Sequence, residues 1–212
     1  MKQIFIHGLG QTPDSWKSVI SQLNAGEYSI CPNLAELVRG SEATYQNLYS
    51  AFSALCDEIG ETVRLCGLSL GGVLALNYAI DHPEKIESMI LIATQYKIPK
   101  NTLKFQNMIF RLMPKSMFLQ MGFGKNDFFK LCNTMMELDF SKSLQNLSCP
   151  ALIICGSRDH ANKKASIELS NYLHNSIYLE LPGCGHEANV EAAEILAKEI
   201  RSFLKVLSDR KM

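Results

Sequence analysis

The sequence predicts an α/β protein: a three-layer, doubly wound, six-stranded and mostly parallel sheet with a small helical insertion. Three observations predict it. Short apolar runs of strand length alternate with longer segments of helical character along the 212 residues, the order produced by parallel strands joined through helical crossovers. Several runs end in glycine-bearing loops, at Gly8, Gly67, Gly156 and Gly183, as strands do where the chain turns sharply. The alternation is interrupted once, over 95–147, where methionine and phenylalanine crowd in.

Each element follows from local pattern. Lys2-Gln3-Ile4-Phe5-Ile6-His7 reads as a strand running into the loop Gly8-Leu9-Gly10. A helix over 14–24, a strand over 27–32 and a helix over 42–59 come next. Thr62-Val63-Arg64-Leu65-Cys66 begins a strand over 62–68, and Gly67-Leu68-Ser69-Leu70-Gly71 turns it into a helix over 70–81. A strand over 87–93 closes the first half. Strand 150–156, helix 163–174, strand 176–181 and helix 189–207 form the second. Within the insertion, Pro114 and Gly122-Phe123-Gly124 divide the chain into three short helical pieces. The domain reading is a core of 1–94 and 148–212 with 95–147 inserted as a helical cap.

Composition bounds the function. Charge balances to zero and no basic patch points to nucleic acid. No apolar run approaches the ~20 residues that span a bilayer. The amino terminus has no basic segment ahead of a long apolar core, so no signal peptide is expected. Seven cysteines without a C-x-x-C pair read as buried thiols in a reducing cytoplasm. The five histidines are dispersed without metal-ligand spacing.

The chemistry gathers around Ser69. A strand, a sharp turn and a helix with serine at the apex is the setting of a nucleophile elbow. Glycine is needed at 67 and 71 because side chains there would collide across the turn. Asp159 follows the run Ala151-Leu152-Ile153-Ile154-Cys155, and His186 follows Ser176-Ile177-Tyr178-Leu179-Glu180-Leu181. Both therefore fall just past strand carboxyl ends, the edge where parallel sheets bind ligands. A neutral hydroxyl is a weak nucleophile. His186 would take its proton, and Asp159 would fix the imidazole tautomer and stabilise the imidazolium. The backbone N–H groups of Leu9 and Leu70 are the expected oxyanion donors, at ~3 kcal/mol each. His7 is expected to hold the first loop by hydrogen bonding, Cys184 to serve packing and His160 to sit at a rim or on the surface.

These motifs together resemble the α/β-hydrolase superfamily over nearly the whole chain: His-Gly-x-Gly with Trp16 downstream, Gly-x-Ser-x-Gly-Gly, Gly-x-x-Asp, and Gly-x-Gly-His before a terminal helix. The Asp159 loop departs from the family's common pattern in lacking a nearby proline. The resemblance implies strand order 2-1-3-4-5-6, with 27–32 at one edge and the family's opening hairpin missing. It also implies that 95–147 lies over the active site. Met108, Leu112, Met113, Met117, Phe118 and Met121 are then candidates to line an apolar acyl pocket.

A serine at the elbow favours acyl transfer to water, from an ester, thioester or lactone, through an acyl-enzyme and without a cofactor. The expected partner is a small acyl substrate; oligomeric state is left open. Two alternatives stay open here. A lyase or carbon–carbon bond hydrolase would use the same triad with a cation such as Lys104, Arg111 or Lys115. A non-catalytic ligand sensor would keep the fold without turnover.

Overall fold

The computed structural model describes residues 1–98, 114–120 and 122–209, with the backbone alone at 115, 119 and 120. Six parallel strands form one sheet: β1 (Lys2–Ile6), β2 (Ser29–Ile30), β3 (Val63–Leu68), β4 (Ile86–Ile92), β5 (Ala151–Gly156) and β6 (Ser176–Leu181). Their order is β2-β1-β3-β4-β5-β6, as the resemblance implies, and all five pairings are parallel rather than mostly so. The register sets Ile4 beside Leu65, Leu65 beside Met89 and Leu91 beside Ile153.

Alternation of side chains along each strand produces the layers. Ile4, Ile6, Leu65, Met89, Leu91 and Ile153 point into one core. Phe5, Cys66, Leu68, Ile90, Ile92, Leu152 and Ile154 point into the other. The first core is covered by α3 (Tyr45–Glu58), α4 (Leu70–Asp81) and part of α7 (His160–Tyr172). The second is covered by α1 (Lys17–Leu23) and α9 (Ala193–Asp209). Helix α9 buries Leu196, Ala197, Ile200, Phe203 and Leu207, an apolar stripe at helical spacing. A fully buried side chain of this kind contributes about 1.5–3 kcal/mol. Caps set the helix ends: Thr44 Oγ1 accepts the Asn47 N–H at 3.2 Å at the start of α3, and Asn24, at φ 54°, ends α1.

Boundaries differ from the sequence expectation where tertiary contacts intervene. The 27–32 strand shrinks to β2, because this edge pairs only through Gln3 and Ile4 while Gly26–Tyr28 winds into a 3₁₀ turn. A four-residue helix, α2 (Leu34–Leu37), was not anticipated. Asn33 Oδ1 caps it by accepting from Ala35 N at 3.1 Å. The terminal helix is broken at Ala192 (φ −138°) into α8 (Ala188–Glu191) and α9. Helix α7 starts at His160, three residues earlier than expected.

The insertion holds α5 (Lys115–Gln120) and α6 (Lys125–Met135) among the described residues. Its roots are zipped together: Ile98 N–H donates to Leu138 O at 3.1 Å and Phe140 N–H to Tyr96 O at 2.9 Å. Phe118, Phe128, Leu131, Cys132 and Met135 join the first core. Tyr45 N–H donates to Thr134 Oγ1 at 2.8 Å, docking α6 on α3. The later half of the insertion is therefore anchored in the body. No described helix is long and apolar enough to cross a membrane.

Candidate active site

Ser69 sits at the junction of β3 and α4 with φ 52° and ψ −112°, a backbone region non-glycine residues rarely occupy. The surroundings enforce it. Ser69 N–H donates to Ile92 O at 2.8 Å, and Ser69 O accepts the Val73 N–H at 3.0 Å. A Cβ at Gly67 would lie 2.3 Å from Gly71 O, and one at Gly71 would lie 2.1 Å from Ile6 O. Both contacts are with backbone, so neither can relax by rotating a side chain. The helix begins at once beneath the serine because its first residues are packed against the sheet.

The loop after β1 lies beside this apex: a Cβ at Gly8 would be 3.6 Å from Ser69 Cβ. Among the described residues neither the Leu9 N–H nor the Leu70 N–H is committed to a hydrogen bond. That of Leu70 is free because a helix's first N–H groups have no intrahelical partner. His7, 1% exposed, ties this loop down. Its Nε2 accepts the Leu34 N–H at 3.2 Å and its Nδ1 lies 2.9 Å from Gly8 O, so Nδ1 carries the proton. Burial pushes the His7 pKa down, partly offset by the Gly8 carbonyl.

Asp159 and His186 are brought together from the ends of β5 and β6. The two loops touch so closely that a Cβ at Gly156 would lie 2.1 Å from Gly185 O. Arg158 N–H donates to Cys184 O at 2.9 Å and Ser157 N–H to Leu181 O at 2.9 Å. His186 Nδ1 then donates to Asp159 Oδ2 at 2.8 Å, which leaves Nε2 as the bare nitrogen. Asp159 is buried while the imidazole is 43% exposed. Burial alone would push the Asp159 carboxyl up; hydrogen bonds from His186 and Asn162 outweigh it and hold the pKa below the ordinary value. Among the described residues no hydrogen bond joins Ser69 Oγ to His186; the three residues follow the carboxyl ends of β3, β5 and β6, which lie at one edge of the sheet.

Sequence reasoning missed several supports. Asn162 Nδ2 donates to both carboxylate oxygens of Asp159 at 2.9 Å and is itself held by Gln95 Nε2, 2.8 Å from Asn162 Oδ1. Asp159 occupies the N-cap position of α7, yet its side chain caps no backbone N–H of the helix. The carboxylate is turned to His186 and Asn162 instead. The Asp-x-x-Asn spacing at a helix start was the available signal. Glu191 accepts from Gly185 N at 2.8 Å and Glu187 N at 3.2 Å, clamping the histidine loop.

Of the other candidates, His160 is exposed. Cys184 is buried and its thiol pKa is pushed up by that burial, so it is a packing thiol rather than a reactive one. Phe118 is fully buried against Phe128, with ring centroids 5.1 Å apart, while Met117 is 39% exposed. Met108, Leu112, Met113 and Met121 lie outside the described residues, as do Lys104 and Arg111.

The model of the family described as alpha/beta hydrolase fold matches residues 4–137. The pimeloyl-[acyl-carrier protein] methyl ester esterase of Aromatoleum aromaticum is 34% identical over 91 residues, 43% of this chain and 36% of that protein. The protein of the same name from Edwardsiella ictaluri is 26% identical over 91 residues, 43% of this chain and 35% of its own length. The match thus spans about a third of the length of these curated relatives. Among solved structures, a carboxylesterase from Nitrososphaera gargenis superposes with a TM-score of 0.85 at 18% identity, covering 99% of this chain and 91% of that one. A thermophilic esterase from Thermogutta terrifontis gives 0.78 at 21% identity, covering 98% and 90%. At such identities these two likenesses speak to the fold.

Proposed function

The chain belongs to the α/β-hydrolase fold family, and from that premise we propose a serine hydrolase that cleaves a carboxylic ester of a small apolar acyl group, or a thioester or lactone. The observation that carries the reading is the 2.8 Å contact of His186 Nδ1 with Asp159 Oδ2, formed at the edge where Ser69 is held at φ 52°. Curated relatives named as methyl ester esterases support the ester class. The methionine- and phenylalanine-rich insertion supports an apolar acyl group.

In this mechanism Ser69 Oγ attacks the acyl carbon as its proton passes to His186 Nε2, which becomes imidazolium against the Asp159 carboxylate. The carbonyl oxygen takes the electron pair and is met by the Leu9 and Leu70 N–H groups. The tetrahedral species collapses, the carbon–oxygen bond to the alcohol breaks, and His186 returns the proton to the leaving oxygen. Water then attacks the acyl-Ser69 ester with the same general base, releasing the acid and restoring the hydroxyl. No step calls for a cofactor.

The test is turnover of p-nitrophenyl esters of graded acyl length, with labelling by a fluorophosphonate. Turnover and labelling that vanish in Ser69→Ala are the expected result. Turnover that persists in that variant, or is absent from the wild type across the series, rejects the reading.

A further inference from the structure

The loop after β1 and the loop carrying His186 come from opposite ends of the chain, yet two buried amides join them. Gln11 and Asn189, 178 positions apart, are 8% and 0% exposed. Gln11 Nε2 donates to Asn189 Oδ1 at 3.1 Å, and Asn189 Nδ2 donates back to Gln11 Oε1 at 3.1 Å. The same Oε1 accepts the Gly8 N–H at 3.2 Å, and Gln11 N–H donates to Gly8 O at 3.2 Å. Asn189 Nδ2 also reaches Ser15 Oγ at 3.1 Å, and Ser15 Oγ donates to Thr12 O at 2.8 Å. Residues 8–11 are thus closed into a turn by Gln11. The turn is then clamped to the first turn of α8, three residues beyond His186.

Stability alone does not ask for such a pair. A buried amide costs free energy unless fully partnered, and a matched pair of apolar side chains fills the same space at least as well. What the reciprocal pair adds is fixed spacing, since both amides are planar and each bond constrains the other. One end of that spacer holds the backbone just before Leu9; the other sits beside the histidine.

We propose that Gln11 and Asn189 are positioning residues that lock the loop bearing the Leu9 N–H to the loop bearing His186, so that oxyanion donor and general base keep one separation during the reaction. The inference rests on the acyl-transfer reading above.

The experiment compares wild type, Asn189→Ala, Gln11→Leu, Asn189→Leu and the double leucine variant on p-nitrophenyl esters, with thermal unfolding and amide exchange alongside. Each single leucine change strands a buried amide and lowers Tm by roughly 4–8 °C. The double variant strands neither side-chain amide, leaving only the Gly8 N–H without its acceptor, and recovers part of that loss. Its kcat nevertheless stays down by about 10–100-fold, with KM within a few-fold of wild type. Recovery of kcat along with Tm would make the pair purely structural and overturn the proposal. Asn189→Ala, which breaks the clamp without adding bulk to the buried site, speeds exchange at the Gly8 amide by about tenfold or more. Unchanged Gly8 protection would also overturn it. Neither outcome is confused with failure of the acyl-transfer reading, which shows as turnover that survives Ser69→Ala or never occurs.

Discussion

Replacing Ser69 by glycine should stabilise the protein relative to replacing it by alanine. At φ 52° and ψ −112° the residue lies away from the wells open to side chains, and a non-glycine residue so placed costs about 1–3 kcal/mol. Glycine escapes that cost but gives up roughly 0.5–1 kcal/mol in unfolded-state entropy. The difference favours Ser69→Gly over Ser69→Ala by about 0.5–2 kcal/mol. For a chain of this length that corresponds to roughly 1–8 °C in Tm. Alanine is the reference because both variants lack the hydroxyl, so its own interactions cancel. The residue is only half-buried, so deleting one Cβ removes little packing. Thermal and urea unfolding of the two variants measure the gap, and both should be inactive. A glycine variant no more stable than the alanine variant would show that the elbow is not strained, and that the turn is held by preference rather than by its neighbours.

Three further outcomes follow from the same geometry. Gly71→Ala and Gly67→Ala put a Cβ within 2.1 and 2.3 Å of backbone oxygens, so turnover should collapse with the elbow. At Gly26, where a Cβ would meet nothing within 4 Å, alanine should be neutral or up to ~1 kcal/mol stabilising; equal effects at the three sites would refute the packing account. His7 has a folded pKa pushed below its unfolded value, so the unfolded chain takes up the proton first. Its contribution is complete above about pH 6.5 and is lost as pH falls through the folded value. His7→Gln should flatten the decline in stability between about pH 6.5 and 5, and an unchanged slope would remove His7 from that decline. Asn162→Leu deletes a donor to a buried carboxylate whose pKa is depressed, at a cost of about 1.5–3 kcal/mol near pH 7. That deficit should shrink as acid protonates Asp159 below about pH 4; a deficit independent of pH would show that Asn162 merely packs.

Local pattern was enough to give the strands and helices and to nominate the residues of the proposed site. Strand and helix periodicity is local, so β3, β5, β6 and α4 could be read within a residue of their ends. The order β2-β1-β3-β4-β5-β6 then came with the resemblance. Ser69, Asp159 and His186, the residues of the proposed site, were nominated for a related reason. Each follows a run of strand-forming residues, and parallel strands deliver their carboxyl ends to a common edge. Only tertiary structure decided what holds those residues. Asn162 was invisible as a support until α7 began at His160 and turned its amide onto Asp159. The break at Ala192 leaves no trace in the apolar pattern; just before it, Asn189 and Glu191 bond to residues of other loops. The Gln11–Asn189 pair spans 178 positions. Hydrogen bonds between such distant side chains depend on where the folded backbone places them, and local pattern carries no record of that.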